Sequence, residues 1–263
     1  MPTLSGLRRR GYTPSAIFDF IERSGVARSE AMADLNLLEY CICEELNESA
    51  ERRVCVTDQL LVEITNYPED KVEYFELSNH PKKPELGMRK MPFTKTLYIE
   101  KSDFMEEPIP GFQRLKPEGE VRLMGAYIIK CDEVVKDDNG NIVKLLCSAD
   151  LVTGNGKREE GPKVKGTIHW LSVEHALDRE VRIYNNIFNK ENVATLLEDE
   201  NFEEFLNPDS LEVYPNAKIE ESLKDAKVGE KFQFVRMGYF TLDSKCENVF
   251  NRTVALKTGF KAK

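Results

Sequence analysis

The side chains that most often carry catalysis are sparse in this sequence. Its 263 residues include three histidines, His80, His169 and His175, and none of them stands in a Ser/His/Asp or HExxH arrangement. The Gly-Asn-Gly-Lys stretch at 154–157 is too short to cradle a phosphate, and no strand-to-helix context surrounds it. Isolated histidines of this kind are more often hydrogen-bonded structural residues. We therefore expect no catalytic residue in this chain.

The six cysteines do not predict a metal site either. Cys41 and Cys43 are two residues apart, so on a helix they would point to different sides, and the sequence contains no CxxC pair. A structural zinc site needs four converging ligands, which this spacing does not supply. We expect free thiols in a reducing cytosol and no bound metal.

Charge is distributed unevenly along the chain. The net charge is −9, from 37 basic and 46 acidic residues, a balance that by itself argues against a nucleic-acid-binding protein. Basic residues nevertheless cluster at 8–10, 52–53, 82–83 and 157–165. A basic face can exist on an acidic body. No apolar run approaches the ~18 residues of a membrane span, and the N-terminus does not resemble a secretory signal.

The first 50 residues predict helices. Thr13 is a suitable N-cap, Pro14 fits the first helical position, and Gly25 suits a helix end. Ser29 opens a second helix, and its apolar stripe comprises Leu35, Leu38, Ile42 and Leu46. Packing of such stripes against neighbouring helices explains them without any functional role.

The remainder predicts short strands, because β-branched residues and apolar/polar alternation dominate it. The predicted strands lie in 54–67, 72–77, 96–101, 120–135, 142–149, 166–173, 180–188, 231–243 and 249–257. Asn139-Gly140 indicates a two-residue hairpin turn, and 192–206 predicts a short acidic helix. Roughly 200 residues of short, punctuated strands favour two barrels over one. The letters alone reveal no internal repeat.

Blocks spread over the whole chain resemble, in order, the carboxy-terminal region of glutaminyl-tRNA synthetases. They lie at 1–17 (MPTLSGLRRRGYTPSAI), 39–56, 79–87 (NHPKKPELG), 121–132, 165–172 (KGTIHWLS), 221–244 and 249–257 (VFNRTVALK). The resemblance implies a mainly β fold with a helical subdomain at 1–50 and two antiparallel barrels like that of the ribosomal 5S-RNA-binding protein. The proximal anticodon-binding barrel would comprise 51–105 with 207–263, and the distal one 106–206.

The resemblance also implies a function. In the family the two barrels clasp the anticodon, and specific RNA recognition generally targets splayed, single-stranded loop bases. The parent enzyme is a class I ligase that joins glutamine to its tRNA with ATP and Mg²⁺. Its His-Ile-Gly-His and Met-Ser-Lys motifs do not occur here. We therefore expect a cytoplasmic, monomeric fragment that is inactive alone, holds no cofactor, and binds glutamine tRNA and its own catalytic domain but neither DNA nor membrane.

Matching positions assign individual residues to the anticodon. Asn47 and Arg52 fall at the junction between helix and barrel that meets the loop, and Arg52 resembles the arginine associated with the middle uridine. Gln233 and Arg236 match a polar pair that contacts the same region. Arg114 resembles the arginine that reads the third base, a guanine, and a guanidinium fork suits the guanine acceptors.

Contacts to the first anticodon base are where this sequence departs most from the family. Arg122 resembles a basic residue near that base, but Met124 stands where some members have a second arginine. Gln113 replaces a lysine, Lys82 replaces an asparagine, and Gly111 replaces a polar residue. Loose reading is compatible with the code, because glutamine codons accept either purine at their third position.

Other interpretations remain open. A eukaryote-type glutamyl-tRNA synthetase shares the barrels, although the LRRRGYT and EELNES blocks favour the glutaminyl enzyme. A non-catalytic RNA-binding barrel module would not explain the long helical preface. A stand-alone enzyme on a barrel would need a convergent set of titrating groups, which we do not find. Without the resemblance, each candidate arginine would be interpreted as an ordinary surface residue.

The assignment of Arg114 gives a first prediction. Arg114→Ala should weaken binding to glutamine tRNA by roughly 1–3 kcal/mol, the range for one bidentate base contact. Titration of labelled tRNA with the two proteins measures the difference. An unchanged affinity would remove Arg114 from the set of base-reading residues.

Overall fold

The computed structural model describes residues 3–25, 33–152, 154, 163–189 and 201–259. Its N-terminal part is helical, as the sequence predicts, with α1 (Leu4–Arg9), α2 (Pro14–Ser24) and α3 (Leu35–Ser49). Thr13 caps α2, because its side-chain oxygen accepts the Ala16 N–H at 3.2 Å. Ser29 lies outside the described residues, but the helix that carries the predicted apolar stripe begins at Leu35, because the Asp34 side chain caps it by accepting the Asn36 N–H at 2.9 Å. No helix in the described ranges is long and apolar enough to cross a membrane.

Strands make up most of the rest. They are β1 (Glu51–Arg53), β2 (Cys55–Val56), β3 (Gln59–Ile64), β4 (Glu73–Ser78), β5 (Met88–Phe93), β6 (Thr96–Glu100), β7 (Glu120–Leu123), β8 (Ile128–Lys136), β9 (Ile142–Ala149), β10 (Thr167–Ile168), β11 (Leu171–Ser172), β12 (Leu177–Tyr184), β13 (Leu211–Ile219), β14 (Lys231–Phe234), β15 (Gly238–Leu242) and β16 (Val249–Val254). A hairpin joins β8 to β9 at the predicted place, but the two-residue turn predicted at Asn139-Gly140 is wrong: residues 137–141 connect the strands, and of the two residues Gly140 alone takes a positive φ, of 81°.

The predicted acidic helix at 192–206 lies partly outside the described residues. Its described end forms a single 3₁₀ turn, Phe202–Phe205. Asn201 caps this turn, because its side-chain oxygen accepts the Glu203 N–H at 3.1 Å.

Two seven-stranded sheets form the body of the molecule. Sheet A has the order β1-β14-β15-β16-β12-β13-β2, and sheet B has the order β10-β7-β8-β9-β3-β6-β11. In each sheet the two edge strands are consecutive pieces of one chain segment, so the opposite edges are drawn together. The result is one nearly closed barrel and one half-barrel. The mainly β fold with an N-terminal helical part is therefore confirmed.

The two sheets share one pairing scheme. Across each sheet in turn the pairs are parallel, antiparallel, antiparallel, parallel, antiparallel and antiparallel. The split edge segment comes first along the chain in sheet A and last in sheet B. The sheets are thus circular permutations of a single topology, a repeat that the sequence does not reveal. Antiparallel pairs predominate, as expected, with two parallel pairs in each sheet.

Three strands join a different sheet from the one that the expected units imply. The expected proximal barrel groups β3 and β6 with the strands after 207, but β3 pairs with β6 and β9, and β6 pairs with β11, all in sheet B. The strand β12 was expected in the other barrel, but it lies between β13 and β16 in sheet A. Burial explains the pairing of β3, because Val62 and Ile64 are part of the core of sheet B. The limits of the folding units themselves remain a prediction.

Each sheet has its own aromatic core. Sheet B encloses Trp170 and Phe93, whose rings meet edge to face at 5.1 Å. Sheet A encloses Phe234 and Phe240, stacked at 4.4 Å. The helices pack on residues that alternate with this core, such as Tyr239. The helical part and sheet A therefore form one continuous packed unit.

Buried carboxylates fix the chain where it passes between the sheets. Glu220 is 1% exposed and accepts the Val54 N–H at 2.9 Å, at the break between β1 and β2. It also forms ion pairs with Arg53 at 3.2 Å and Arg89 at 2.8 Å. Glu100 accepts the backbone N–H groups of residues 57 and 58, which join sheet A to sheet B. The backbone groups freed by the crossing are thus satisfied internally.

This arrangement predicts a large effect of Glu220→Gln on stability. The amide can still accept the Val54 N–H, but Arg53 and Arg89 would lose their shared anion while buried. We expect the free energy of unfolding to fall by about 3–5 kcal/mol. Urea unfolding measures it, with the exposed neighbour Glu221→Gln as a control within about 0.5 kcal/mol of wild type. Equal stability of the two variants would contradict the assigned role of Glu220.

Candidate nucleic-acid interface

The registers of β1, β14 and β15 place two candidate side chains, Arg52 and Gln233, in one row with Tyr239. Arg52 lies opposite Gln233, and Gln233 lies opposite Tyr239. The Arg52 guanidinium donates to the carbonyls of Ala50 at 2.6 Å and Asn47 at 3.1 Å. A cation is favourable there, because these carbonyls belong to the C-terminal end of α3.

Arg52 keeps its charge available for an external anion. Within the described ranges no carboxylate lies within 4.0 Å of its guanidinium. Burial lowers the pKa of Arg52, because it removes water from around the charged form. A half-buried guanidinium held only by neutral carbonyls is attractive to a ligand that brings acceptors or negative charge.

Asn47 connects this row to the helical part. Its side-chain oxygen accepts hydrogen bonds from Arg52 and from the Tyr239 hydroxyl, both at 3.3 Å. The Lys82 backbone N–H donates to Nδ1 of His80, so Nε2 of that ring carries a proton and donates to the Asn47 carbonyl at 3.0 Å. The Lys82 side chain is exposed and pairs with Glu48 at 3.1 Å. Asn47, Arg52 and Lys82 are therefore neighbours in the structure.

Gln233 presents an unsatisfied acceptor. Its Oε1 is buried and has no hydrogen-bond partner among the described residues. Buried polar atoms are rarely left unpaired, because the lost hydration is costly. The position between Arg52 and Tyr239 suits a planar ligand that offers one donor beside acceptors.

Arg236 is held in an unusual backbone conformation. It lies in the three-residue turn between β14 and β15 with a φ of 67°, a region that non-glycine residues seldom adopt. Its Nη1 donates to Asp103 at 2.9 Å, its Nη2 donates to the other oxygen of the same carboxylate, and its Nε donates to Nδ1 of His169 at 3.1 Å. These contacts tie the turn of sheet A to sheet B.

Arg114 meets the same carboxylate. Its Nη1 lies 3.1 Å from Oδ1 of Asp103 and donates to the Ser102 carbonyl at 3.2 Å. The side chain of Asp103 is fully buried, whereas that of Arg114 is 42% exposed. The structure thus joins Arg114 and Arg236, more than 100 residues apart in sequence, through one aspartate.

The row of Arg52, Gln233 and Tyr239, with Asn47, is a first cluster, and His169 completes a second cluster with Asp103, Arg114 and Arg236. His169 lies in the break between β10 and β11, the split edge segment of sheet B. Burial and then the nearby charge of Arg236 lower the pKa of His169 to about 3. The ring is therefore uncharged at neutral pH, with Nδ1 free to accept the hydrogen bond from Arg236.

A basic groove extends from Arg114. Its cavity of about 270 Å³ is lined by Phe112, Gln113, Arg114, Lys116, Glu120, Lys163, Val164, Lys165 and Gly166. The backbone approach is close, because a Cβ on Gly166 would lie 1.8 Å from the Gln113 carbonyl oxygen. Exposed lysines on both sides of Gln113 suit a phosphate backbone. The rest of the basic run at 157–165 lies outside the described residues.

Arg122 stands apart from both clusters. It lies on β7 and faces away from the core, because Val121 and Leu123 on either side are fully buried. Its backbone N–H donates to the Gly166 carbonyl at 3.0 Å, which puts the strand beside the groove. The structure gives its guanidinium no hydrogen bond or ion pair with the described residues.

Sequence reasoning missed the residues that position the candidates: Asp103 and His169 hold Arg236, and Tyr239 donates to Asn47. Asp103 is one of 46 acidic residues and stands in no motif. The adjacency of His169 to Trp170 in a strand indicated only a structural histidine. Within the described ranges no group of three or more His, Cys, Asp or Glu side chains could hold a metal ion.

Two family models match this chain. Both are described as the anti-codon binding domain of class I (E and Q) tRNA synthetases, and they match residues 50–150 and 167–243. The glutamine–tRNA ligase of Pseudomonas putida is 48% identical over 261 residues, 98% of this chain and 46% of that protein. That of Clostridium kluyveri is 42% identical over 265 residues, 99% and 47% of the two chains. The chain spans about half the length of the curated relatives it matches.

The environment of His169 predicts a pH effect. Its pKa is about 3 in the folded chain and about 6.5 when unfolded, so the unfolded chain binds the extra proton between these values. The free energy of unfolding should therefore fall as the pH drops below 6.5, by up to about 1.4 kcal/mol per pH unit from this group.

His169→Asn should remove that contribution, because an amide oxygen can accept from Arg236 without titrating. Urea unfolding of wild type and variant between neutral and mildly acidic pH measures the difference in slope. His175→Gln, at a partly exposed position beside Glu221, is the matched control. A slope unchanged by His169→Asn would contradict the assignment.

Proposed function

The chain belongs to the anticodon-binding domain family of class I glutamyl- and glutaminyl-tRNA synthetases, and we propose that it reads the anticodon of glutamine tRNA. The observation that carries the proposal is the unpaired, buried Oε1 of Gln233 beside Arg52. The proposed partners are that tRNA, through its anticodon loop and stem, and a catalytic domain of the same enzyme. The whole protein would join glutamine to its tRNA with ATP and Mg²⁺ in the cytoplasm, as a monomer.

The hydrogen-bonding groups of the row formed by Arg52, Gln233 and Tyr239 fit uracil as the middle anticodon base. Uracil presents an N3–H donor flanked by two carbonyl acceptors. Oε1 of Gln233 is buried in the free chain, so the amide would turn toward the base to accept this donor, while guanidinium N–H groups of Arg52 or Arg236 would donate to a carbonyl. Cytosine presents an unprotonated N3 at the same place, so two acceptors would face each other. Asn47 holds Arg52 in place, because its backbone carbonyl and its side-chain oxygen both accept from the Arg52 guanidinium.

The second cluster fits the third base. Guanine offers adjacent O6 and N7 acceptors, which a guanidinium engages in a bidentate way. Arg114 is the more exposed arginine of the cluster, and its contact with Asp103 uses only Nη1. Gln113 and the groove lysines would then follow the phosphates of the loop. Arginine is preferred over lysine for such planar recognition.

The remaining candidates have supporting roles in this proposal. Arg122, beside the groove on β7, would contact the first base with no second arginine at Met124, so discrimination there is weak. Lys82 would contact a phosphate, exchanging its exposed ion pair with Glu48 for one with the RNA.

Discrimination at the middle base tests the proposal. We expect the chain to bind natural glutamine tRNA more tightly than a transcript with cytidine for the middle uridine, by about 1–3 kcal/mol. Fluorescence anisotropy at one fixed salt concentration measures both affinities. Gln233→Ala should abolish the preference, whereas Arg179→Ala, on β12 and outside both clusters, should leave it intact. Equal binding of wild type to both transcripts would refute the proposal.

A further inference from the structure

The buried carboxylate of Asp103 touches two arginines to which the proposed function assigns different bases. We propose that Asp103 is a positioning residue that couples the reading of the middle and third anticodon bases, by holding Arg236 and Arg114 as one unit. The inference rests on the function proposed above. It adds a residue that contacts no base itself and a dependence between two base positions.

The geometry makes Asp103 the shared anchor. Its side chain is fully buried in the 3₁₀ turn Lys101–Asp103 that follows β6. Arg236 occupies both carboxylate oxygens, and Arg114 lies 3.1 Å from Oδ1. The Asp103 carbonyl also accepts the Leu115 N–H at 3.0 Å, which fixes the chain next to Arg114. A movement of either guanidinium therefore acts on the anchor of the other.

The hydrogen-bond count leaves both arginines competent to read a base. Arg236 uses three of its five N–H groups on Asp103 and His169, so two have no partner among the described residues. Arg114 uses Nη1 on Asp103 and Ser102, which leaves Nε and Nη2. The carboxylate thus fixes the plane of the Arg236 guanidinium and holds one end of the Arg114 guanidinium, and each keeps N–H groups with no partner among the described residues.

Electrostatics gives the reason for sharing one acid. Two guanidinium groups this close would repel each other, and the buried carboxylate between them offsets the repulsion. The unit retains a single positive charge facing the RNA. Side-chain ordering is completed on folding, so binding loses less conformational entropy. A left-handed backbone at Arg236 and the neutral ring of His169 further restrict that side chain.

Coupling distinguishes this role from a merely structural link between the sheets. A structural link predicts that altering Asp103 weakens binding to every tRNA by the same factor. Coupling predicts a loss of discrimination at both bases, and it predicts that truncating the third-base arginine weakens discrimination at the middle base. The ratio of two affinities of one protein is insensitive to the fraction of that protein that is folded.

The test measures affinities for four glutamine tRNA transcripts: natural, middle base changed, third base changed, and both changed. For wild type we expect non-additive effects of the two base changes, by about 2- to 100-fold. Asp103→Asn should lower both discrimination ratios and remove the non-additivity. Arg114→Ala, a partly exposed position that leaves Asp103 paired with Arg236, should also lower the middle-base ratio.

Asp243→Asn is the matched control. Asp243 is likewise buried and holds an arginine, Arg9, at 2.8 Å, but neither residue belongs to the two clusters. We expect both discrimination ratios to survive in that variant. The inference is overturned if Asp103→Asn and Arg114→Ala leave the middle-base ratio at its wild-type value. Absence of discrimination by wild type at either base would instead overturn the proposed function.

Discussion

A sheet can close into a barrel only when its two edges come together. In each sheet of this chain, one segment is split into two short strands, and the two strands pair at opposite edges of that sheet. In sheet A the break falls at Val54, between β1 and β2, and the Glu220 carboxylate accepts the N–H freed there. In sheet B it falls at His169 and Trp170, between β10 and β11. Buried backbone and side-chain groups at such breaks need partners from elsewhere. The candidate interface lies at these two places: Arg52 precedes the first break, and His169, in the second, accepts from Arg236.

Buried carboxylates also explain how an acidic chain presents a basic surface. Glu220 and Glu51 together neutralise Arg53 and Arg89, so these arginines are structural. Asp103 serves two arginines at once, and Arg52 is held by carbonyls alone. Positive charge is therefore left unneutralised at the interface although the whole chain carries −9. Local pairing, not net charge, decides what such a surface attracts.

Sequence reasoning reached the features that are local. The cap at Thr13, the hairpin between β8 and β9 and the alternation along the strands depend on neighbouring residues, and each is present in the structure. The alternation of apolar and polar residues indicates which face of a strand is buried but not which strand pairs with it. The pairing of β3 with β9 could therefore not be predicted from the sequence. The partnership of Asp103 with Arg236 depends on a contact spanning more than 130 residues. The resemblance supplied the base-reading candidates, and only the fold shows what positions them.

The most direct measurement is a crystal structure of this chain with an anticodon stem–loop of glutamine tRNA. In that complex N3 of the middle uracil should lie about 3 Å from Oε1 of Gln233, and the third base should contact the outer edge of Arg114. Arg236 and Arg114 should also keep their contacts with Asp103 in the complex. A loop seated elsewhere on the surface, with Oε1 of Gln233 still unpaired, would contradict the account.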